Sequence, residues 1–385
     1  MKVLHVVRQF YPAVGGLEAS VLNLATIQRH ELGIDTRVLT LDRVFGQPGV
    51  LKPVDDVDGI PVRRIPWRGS SRYPLAPSVL RYLRSVDVIH VHAIDFFFDF
   101  LAVTKPVHRK FMVASTHGGF FHTSRTHAGK RIWFNVVTRA SVLAYGKVIA
   151  CSHSDAALFS SVAGRRMILI ENGIDQKKYS SAASQLQTRT IICFGRYASH
   201  KRLEDVISLV GLLRTHHRDW KLILAGRDAD QTSAQLTCMA VAAGVGDAVE
   251  VVADPSDDTL RMLMGRSSYY ASLSAYEGFG LAAVEAMSAG LMPILSDIAP
   301  FKTLLADAAP GVLVSVDDMS SGAKRVEATV LIDNDKYAQR RFAVMQSVAR
   351  YRWDDVAREY AAVYDAVSGN IRPVPLARAA GQAYE

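Results

Sequence analysis

The 385 residues, 49% hydrophobic and 21% charged, exceed one ordinary core and suit two α/β domains; no disordered tract, repeat or low-complexity run interrupts them. Net charge is +8, unevenly placed: residues 1–178 hold 24 Lys+Arg against 13 Asp+Glu, or +11, and the remainder carries −3. This excludes an acidic solvating chain and points the first half toward an anionic partner: phosphate, an acidic membrane surface or nucleic acid.

In chain order, Met1–Val7 reads as a first strand, too short an apolar run for a signal peptide. Gly15-Gly16 then opens a helix from about Leu17 to Arg29. Further strands are predicted at Thr36–Leu41, Val86–His92, Phe111–Thr116, Lys147–Cys151 and Met167–Glu171. A polar linker is expected over residues 179–188. A second series follows at Ile191–Phe194, Lys221–Leu224, Val249–Val252, Tyr269–Leu273, Met292–Leu295 and Val312–Val314. Helices are predicted between them at Leu203–Arg214, Ala234–Ala243 and Ala282–Ala289, then at Asp335–Ala349 and Asp354–Val367. Alternating strands and helices imply parallel sheets covered by helices. The expected domains are 1–178 and 189–350, a C-terminal helix over 351–370 that packs back on the first, and a tail over 371–385. Ligands are then expected in a cleft at the carboxyl ends of both sheets. No stretch approaches the ~20 apolar residues of a membrane span. The three cysteines, Cys151, Cys193 and Cys238, are scattered and lack metal spacing, which suits a reducing compartment.

The strongest chemical signal is Glu277-Gly278-Phe279-Gly280-Leu281, followed by Glu285. It lies where the strand Tyr269–Leu273 hands over to the helix Ala282–Ala289. Glycines there admit close approach of a ligand, and the free amides of a helix start favour an anion such as a diphosphate. Both carboxylates can face one pocket, and a carboxylate beside a vicinal diol accepts two hydrogen bonds, which suits it to read a ribose. A helix start decorated with acids explains one glutamate, but not two bracketing Gly-Phe-Gly. Arg196 and Lys201, after the strand Ile191–Phe194, are placed to neutralise a departing diphosphate. Asp228-Ala229-Asp230 resembles a metal-binding Asp-x-Asp, but a turn or helix cap accounts for it and no metal role is assigned. Asp333-Asn334-Asp335 likewise reads as a cap.

The Glu277-x7-Glu285 spacing resembles the signature of the retaining GT-B glycosyltransferases of family four. Gly15-Gly16 with Glu18, His117-Gly118, Asn172-Gly173-Ile174-Asp175, Gly195-Arg196 with Lys201, and Trp353-Asp354 match that family's other motifs in order, over roughly residues 1–365. The resemblance implies two Rossmann-like domains, a nucleotide-sugar donor, no metal and retention of anomeric configuration. It implies that Glu277 holds sugar hydroxyls and His117 contacts the sugar. Gly278, Phe279, Gly280 and Leu281 with Arg196 and Lys201 would hold phosphate, Glu285 the ribose, and Gly15 and Gly16 would lie against the sugar or β-phosphate.

Within the family the chain is similar to the α-mannosyltransferases of exopolysaccharide assembly. That implies GDP-mannose as donor, a cellobiosyl-type oligosaccharide on a polyprenyl diphosphate as acceptor, and a peripheral place on the inner face of the plasma membrane. Residues 73–84 and Phe120–Tyr145 mix aromatics, leucines and arginines, and Phe96, Phe97, Phe98, Trp133 and Phe134 are candidates to enter the interface. His90 and His92 read as strand-end polar residues. Three other readings stand beside this one: a UDP-sugar donor with another acceptor, a non-catalytic nucleotide-sugar binder, and a nucleic-acid-binding protein, which leaves Glu277 and Glu285 unexplained. A dehydrogenase is excluded, since Gly15-Gly16 lacks the G-x-G-x-x-G fingerprint.

Overall fold

The computed structural model describes residues 1–13, 15–117, 133–306, 310–330 and 333–369. The chain divides into two units, residues 1–173 with 353–385, and residues 174–352. The segment expected to be a linker therefore lies inside the second unit. There Tyr179 and Ala183 are buried in its core, and the Ala183 amide donates to the Ala289 carbonyl.

Among the described residues the first unit holds ten strands: β1 Lys2–Val6, β2 Asp35–Leu41, β3 Val54–Val57, β4 Ile60–Ile65, β5 Arg68–Ser70, β6 Tyr73–Leu75, β7 Val88–His92, β8 Phe111–Ser115, β9 Lys147–Ala150 and β10 Met167–Leu169. Eight form one sheet in the order β10-β9-β8-β7-β1-β2-β4-β3, parallel except for β3. The strand β7, Val-Ile-His-Val-His, is buried at every position, as a central parallel strand covered on both faces should be. β1 lies between β2 and β7, so chain order reverses there and the loops beyond diverge. The helix Gly16–His30 buries Val21, Leu24, Ala25 and Gln28 at helical spacing. The last helix, Trp353–Ser368, buries Trp353, Val356, Ala357, Tyr360 and Tyr364 and packs in this same unit against Gly16–His30.

The second unit carries β11 Thr190–Tyr197, β12 Lys221–Asp228, β13 Val249–Ala253, β14 Tyr269–Ser272, β15 Met292–Ser296 and β16 Val312–Val314 in one wholly parallel sheet, ordered β13-β12-β11-β14-β15-β16. Its reversal point is β11, between β12 and β14. No helix among the described residues is long and apolar enough to cross a membrane.

Candidate active site

In the second unit, the chemistry-bearing residues gather beyond the carboxyl ends of β11 and β14, the reversal point of the sheet. The helix Leu281–Ser288 starts at Gly280, which adopts φ +89°. A Cβ there would stand 2.7 Å from the Phe301 ring, so both conformation and space require glycine. Around Gly278 nothing lies within 4 Å of the site of a Cβ.

Glu277 accepts from the Lys201 ammonium at 2.8 Å and from the Ser274 hydroxyl at 3.0 Å, in a largely buried ion pair. The loops carrying the pair are tied together. The Ala275 amide donates to the His200 carbonyl at 2.7 Å, and the His200 ring stacks on Tyr276. Asp230 accepts from the Ser199 amide and hydroxyl at 3.0 and 3.2 Å, fixing the short turn Ser199–Lys201. Asp228 accepts from the amide and hydroxyl of Ser233. Both aspartates of the Asp-x-Asp thus serve local turns. Asp333 caps the helix Asn334–Ser347 through the amides of Asp335 and Lys336. Arg196 is exposed, and its side chain makes no hydrogen bond or ion pair among the described residues.

The Glu285 carboxylate has no hydrogen-bond partner among the described residues, and burial pushes its pKa up to about 7; Lys178 opposes the shift, and Asp257 and Asp175 add to it. Lys178 is held by Asp257 at 2.7 Å, and Asp257 also accepts from Tyr179. Asp175 caps the helix Gln176–Tyr179 that presents Lys178. The sequence singled out Glu285 and Asp175 but not Lys178 or Asp257, which come near Glu285 only through the fold.

In the first unit, Gly15 is the extended residue before the helix Gly16–His30, and a Cβ on it would stand 2.6 Å from the Glu18 carboxylate. Burial raises the Glu18 pKa, against a backbone hydrogen bond and the Arg8 charge. His117 follows β8 with φ +51°, a left-handed conformation costing a non-glycine residue on the order of 1 kcal/mol. Its neighbour Gly118 lies outside the described residues. His90 and His92, read from sequence as strand-end polar groups, are fully buried and hydrogen-bonded.

The expectation for the three phenylalanines is overturned. Phe96, Phe97 and Phe98 are 6%, 0% and 0% exposed, in a helix, Phe96–Val103, covered on all these sides. Phe134 is also buried, against Phe159, whereas Trp133 is 43% exposed. Residues 120–132 lie outside the described ones. Asp95, which caps Phe96–Val103, was not singled out by sequence: one carboxylate oxygen is buried without a partner, and burial pushes its pKa up to about 7.

The helix start at Gly280, with paired Lys201 and Glu277 beside it, thus lies beyond the carboxyl edge of the wholly parallel second sheet. The chain belongs to the group 1, family 4 glycosyltransferases: residues 14–178 match Glycosyltransferase Family 4, and residues 175–341 match Glycosyl transferases group 1. Over 99% of its length it is 54% identical to the GDP-mannose:cellobiosyl-diphosphopolyprenol alpha-mannosyltransferase of Komagataeibacter xylinus, covering 97% of that protein. It is 47% identical over 94% of its length to the protein of the same name from Xanthomonas oryzae pv. oryzae, 95% of which is covered. In fold it matches a glycosyltransferase from Rickettsia africae with a TM-score of 0.74 at 15% identity, over 96% of this chain and 99% of that one. The two sheets are those of the GT-B fold.

Proposed function

We propose that this protein transfers mannose from GDP-mannose to a cellobiosyl group on a polyprenyl diphosphate, with retention, forming an α-linkage during exopolysaccharide assembly. The full-length similarity to two enzymes of that name supports the donor and acceptor. The observation that carries the chemistry is the helix start at Gly280, with the Lys201–Glu277 pair beside it.

In this reading the amides of Gly278, Phe279, Gly280 and Leu281 and the helix dipole receive the diphosphate, aided by Arg196 and Lys201. The Glu285 carboxylate, with no hydrogen-bond partner among the described residues, accepts from both ribose hydroxyls. Glu277, already oriented by Lys201 and Ser274, holds sugar hydroxyls. Gly15 and Gly16 give close backbone approach, and His117 contacts the sugar. The bond from the anomeric carbon to the β-phosphate oxygen breaks as the acceptor oxygen bonds to that carbon on the same face. The acceptor proton passes to the departing diphosphate. Catalysis is then positioning and stabilisation of leaving-group charge.

No metal is assigned, since both aspartates of the Asp-x-Asp are engaged in turns. We assign the first unit to the acceptor and to an anionic membrane surface at the inner face of the plasma membrane. Its helices expose Val103, Val107, Trp133, Val136 and Leu143 with Arg109 and Arg139. The test is transfer of labelled mannose from GDP-mannose to cellobiosyl-diphospho-polyprenol, with UDP-glucose as the competing donor. Transfer from UDP-glucose alone would overturn the donor assignment, and binding without transfer would establish a non-catalytic binder.

A further inference from the structure

Nine side chains of the first unit form one closed hydrogen-bonded ring, and His117 is one of them. Gln28 Oε1 lies 3.0 Å from His5 Nε2, His5 Nδ1 lies 2.9 Å from His92 Nε2, and His92 Nδ1 lies 2.8 Å from His117 Nε2. His117 Nδ1 faces Cys151 Sγ at 3.8 Å, and that sulfur faces the Tyr360 hydroxyl at 3.9 Å. The Tyr360 hydroxyl meets Ser115 Oγ at 3.3 Å, and Ser115 Oγ meets His90 Nε2 at 2.8 Å. His90 Nδ1 meets the Tyr364 hydroxyl at 2.7 Å, and Gln28 Nε2 donates to that hydroxyl at 3.2 Å.

Proton counting fixes the state of this ring. A neutral imidazole has one donor nitrogen and one acceptor nitrogen, and each hydroxyl or thiol has one hydrogen. Nine links therefore share nine donors, and every link is filled only if all donors point the same way round. The carboxamide of Gln28 supplies the direction, with its nitrogen toward Tyr364 and its oxygen toward His5. Following it, Tyr364 donates to His90 Nδ1, His90 Nε2–H to Ser115, Ser115 to Tyr360, Tyr360 to Cys151 and Cys151 to His117 Nδ1. His117 Nε2–H then donates to His92, His92 Nε2–H to His5, and His5 Nε2–H to Gln28. An extra proton on any imidazole would set two donors against each other.

We propose that this ring is a tautomer lock, in which Gln28, His5 and His92 act as positioning residues that hold His117 neutral, with its proton on Nε2 and Nδ1 as the acceptor for a substrate hydroxyl. The proposal rests on the reading of His117 as a substrate contact. The two longest links both involve the Cys151 sulfur, so the thiol is the weakest donor in the ring and the one a sugar hydroxyl would displace. Burial holds His5 and His117 down to about 4 and His90 and His92 well below the usual range, which keeps all four neutral. His5, His90 and His92 also have the spacing of metal ligands, but the ring already engages both nitrogens of each.

Long-range proton–nitrogen NMR on the full chain, with imidazole nitrogens labelled, reads the tautomers directly. The expected spectrum shows these four histidines as Nε2–H and unprotonated from pH 5 to pH 8. An Nδ1–H form at any of them, a mixed population, or protonation in that range would overturn the lock. So would stoichiometric Zn²⁺ shifting the His5, His90 and His92 signals together. In Gln28→Glu, an ionised carboxylate accepts from both neighbours, so His90 alone changes to Nδ1–H; a protonated one keeps the original set. In both cases His117 stays Nε2–H, and a change at His117 would refute the wiring. In His92→Phe, His117 Nε2–H loses its acceptor while burial still keeps the ring neutral, so an Nδ1–H form of His117 appears beside the Nε2–H form and kcat/KM falls; a His117 that stays wholly Nε2–H would refute the positioning role of His92. His117→Ala separates the two claims: wild-type kcat/KM there removes the substrate contact while the NMR pattern still stands. Loss of activity with mixed tautomers in the parent protein removes the lock alone.

Discussion

Replacing Glu285 with glutamine tests the ribose assignment through a property that position alone does not share, its titration. The carboxyl lacks a hydrogen-bond partner among the described residues and burial raises its pKa to about 7. A diol donates two hydrogen bonds to the ionised form, so donor binding lowers that pKa and expels a proton. The sign follows: affinity for GDP rises with pH and is lost as pH falls through 7. With a free-state pKa of about 7, the ionised fraction rises from about 0.09 at pH 6 to about 0.91 at pH 8, roughly a tenfold gain in affinity. Glutamine keeps one acceptor and loses the charge, which costs about 1.5–3 kcal/mol, or about 10- to 150-fold at pH 8. Calorimetry in buffers of different ionisation enthalpy should find about half a proton released on GDP binding at pH 7. Wild-type affinity flat from pH 6 to pH 8, or a glutamine variant with the parent's slope, would refute the reasoning.

Lys201→Met leaves Glu277 with Ser274 as its remaining partner and takes a cation from the leaving group; kcat/KM should fall about 100-fold or more, and unchanged kinetics would remove the leaving-group role. Gly280→Ala places a methyl against Phe301 at positive φ, so Tm should drop by several degrees, about 1–3 kcal/mol, with weaker donor binding. Transfer should persist in excess EDTA; loss restored by Mg²⁺ would return Asp228 and Asp230 to the site. Sedimentation with anionic vesicles should weaken with added salt, and equal binding to neutral vesicles at high salt would remove the electrostatic account of the first unit.

The second-unit site was largely readable because its parts are adjacent in sequence: strand, Gly-Phe-Gly turn and acid-bearing helix occupy residues 269–288. Lys201 reached Glu277 from 76 residues away only because β11 and β14 are neighbours in the sheet. The antiparallel pair β3–β4 was not expected, although Asp58-Gly59, both at positive φ, is a strong signal for the tight turn joining two short strands. The phenylalanines misled for a geometric reason. Three consecutive helical residues point about 100° apart and cannot share one face, so their common apolarity signals a helix buried all round. The histidine ring was out of reach. His90 meets Tyr364 across 274 residues, and neither residue type announces the other.

The first unit is discontinuous in sequence, closed by the stripe of Trp353, Val356, Tyr360 and Tyr364 after the whole second unit has been made. During synthesis its sheet therefore waits, with one apolar surface bare and two hydroxyl partners missing, until the helix Trp353–Ser368 has been made. A nascent chain stopped before residue 353 carries a complete second sheet but an unfinished first one. The helix Trp353–Ser368 thus acts as a late checkpoint, since the sheet begun first is completed only after the second one.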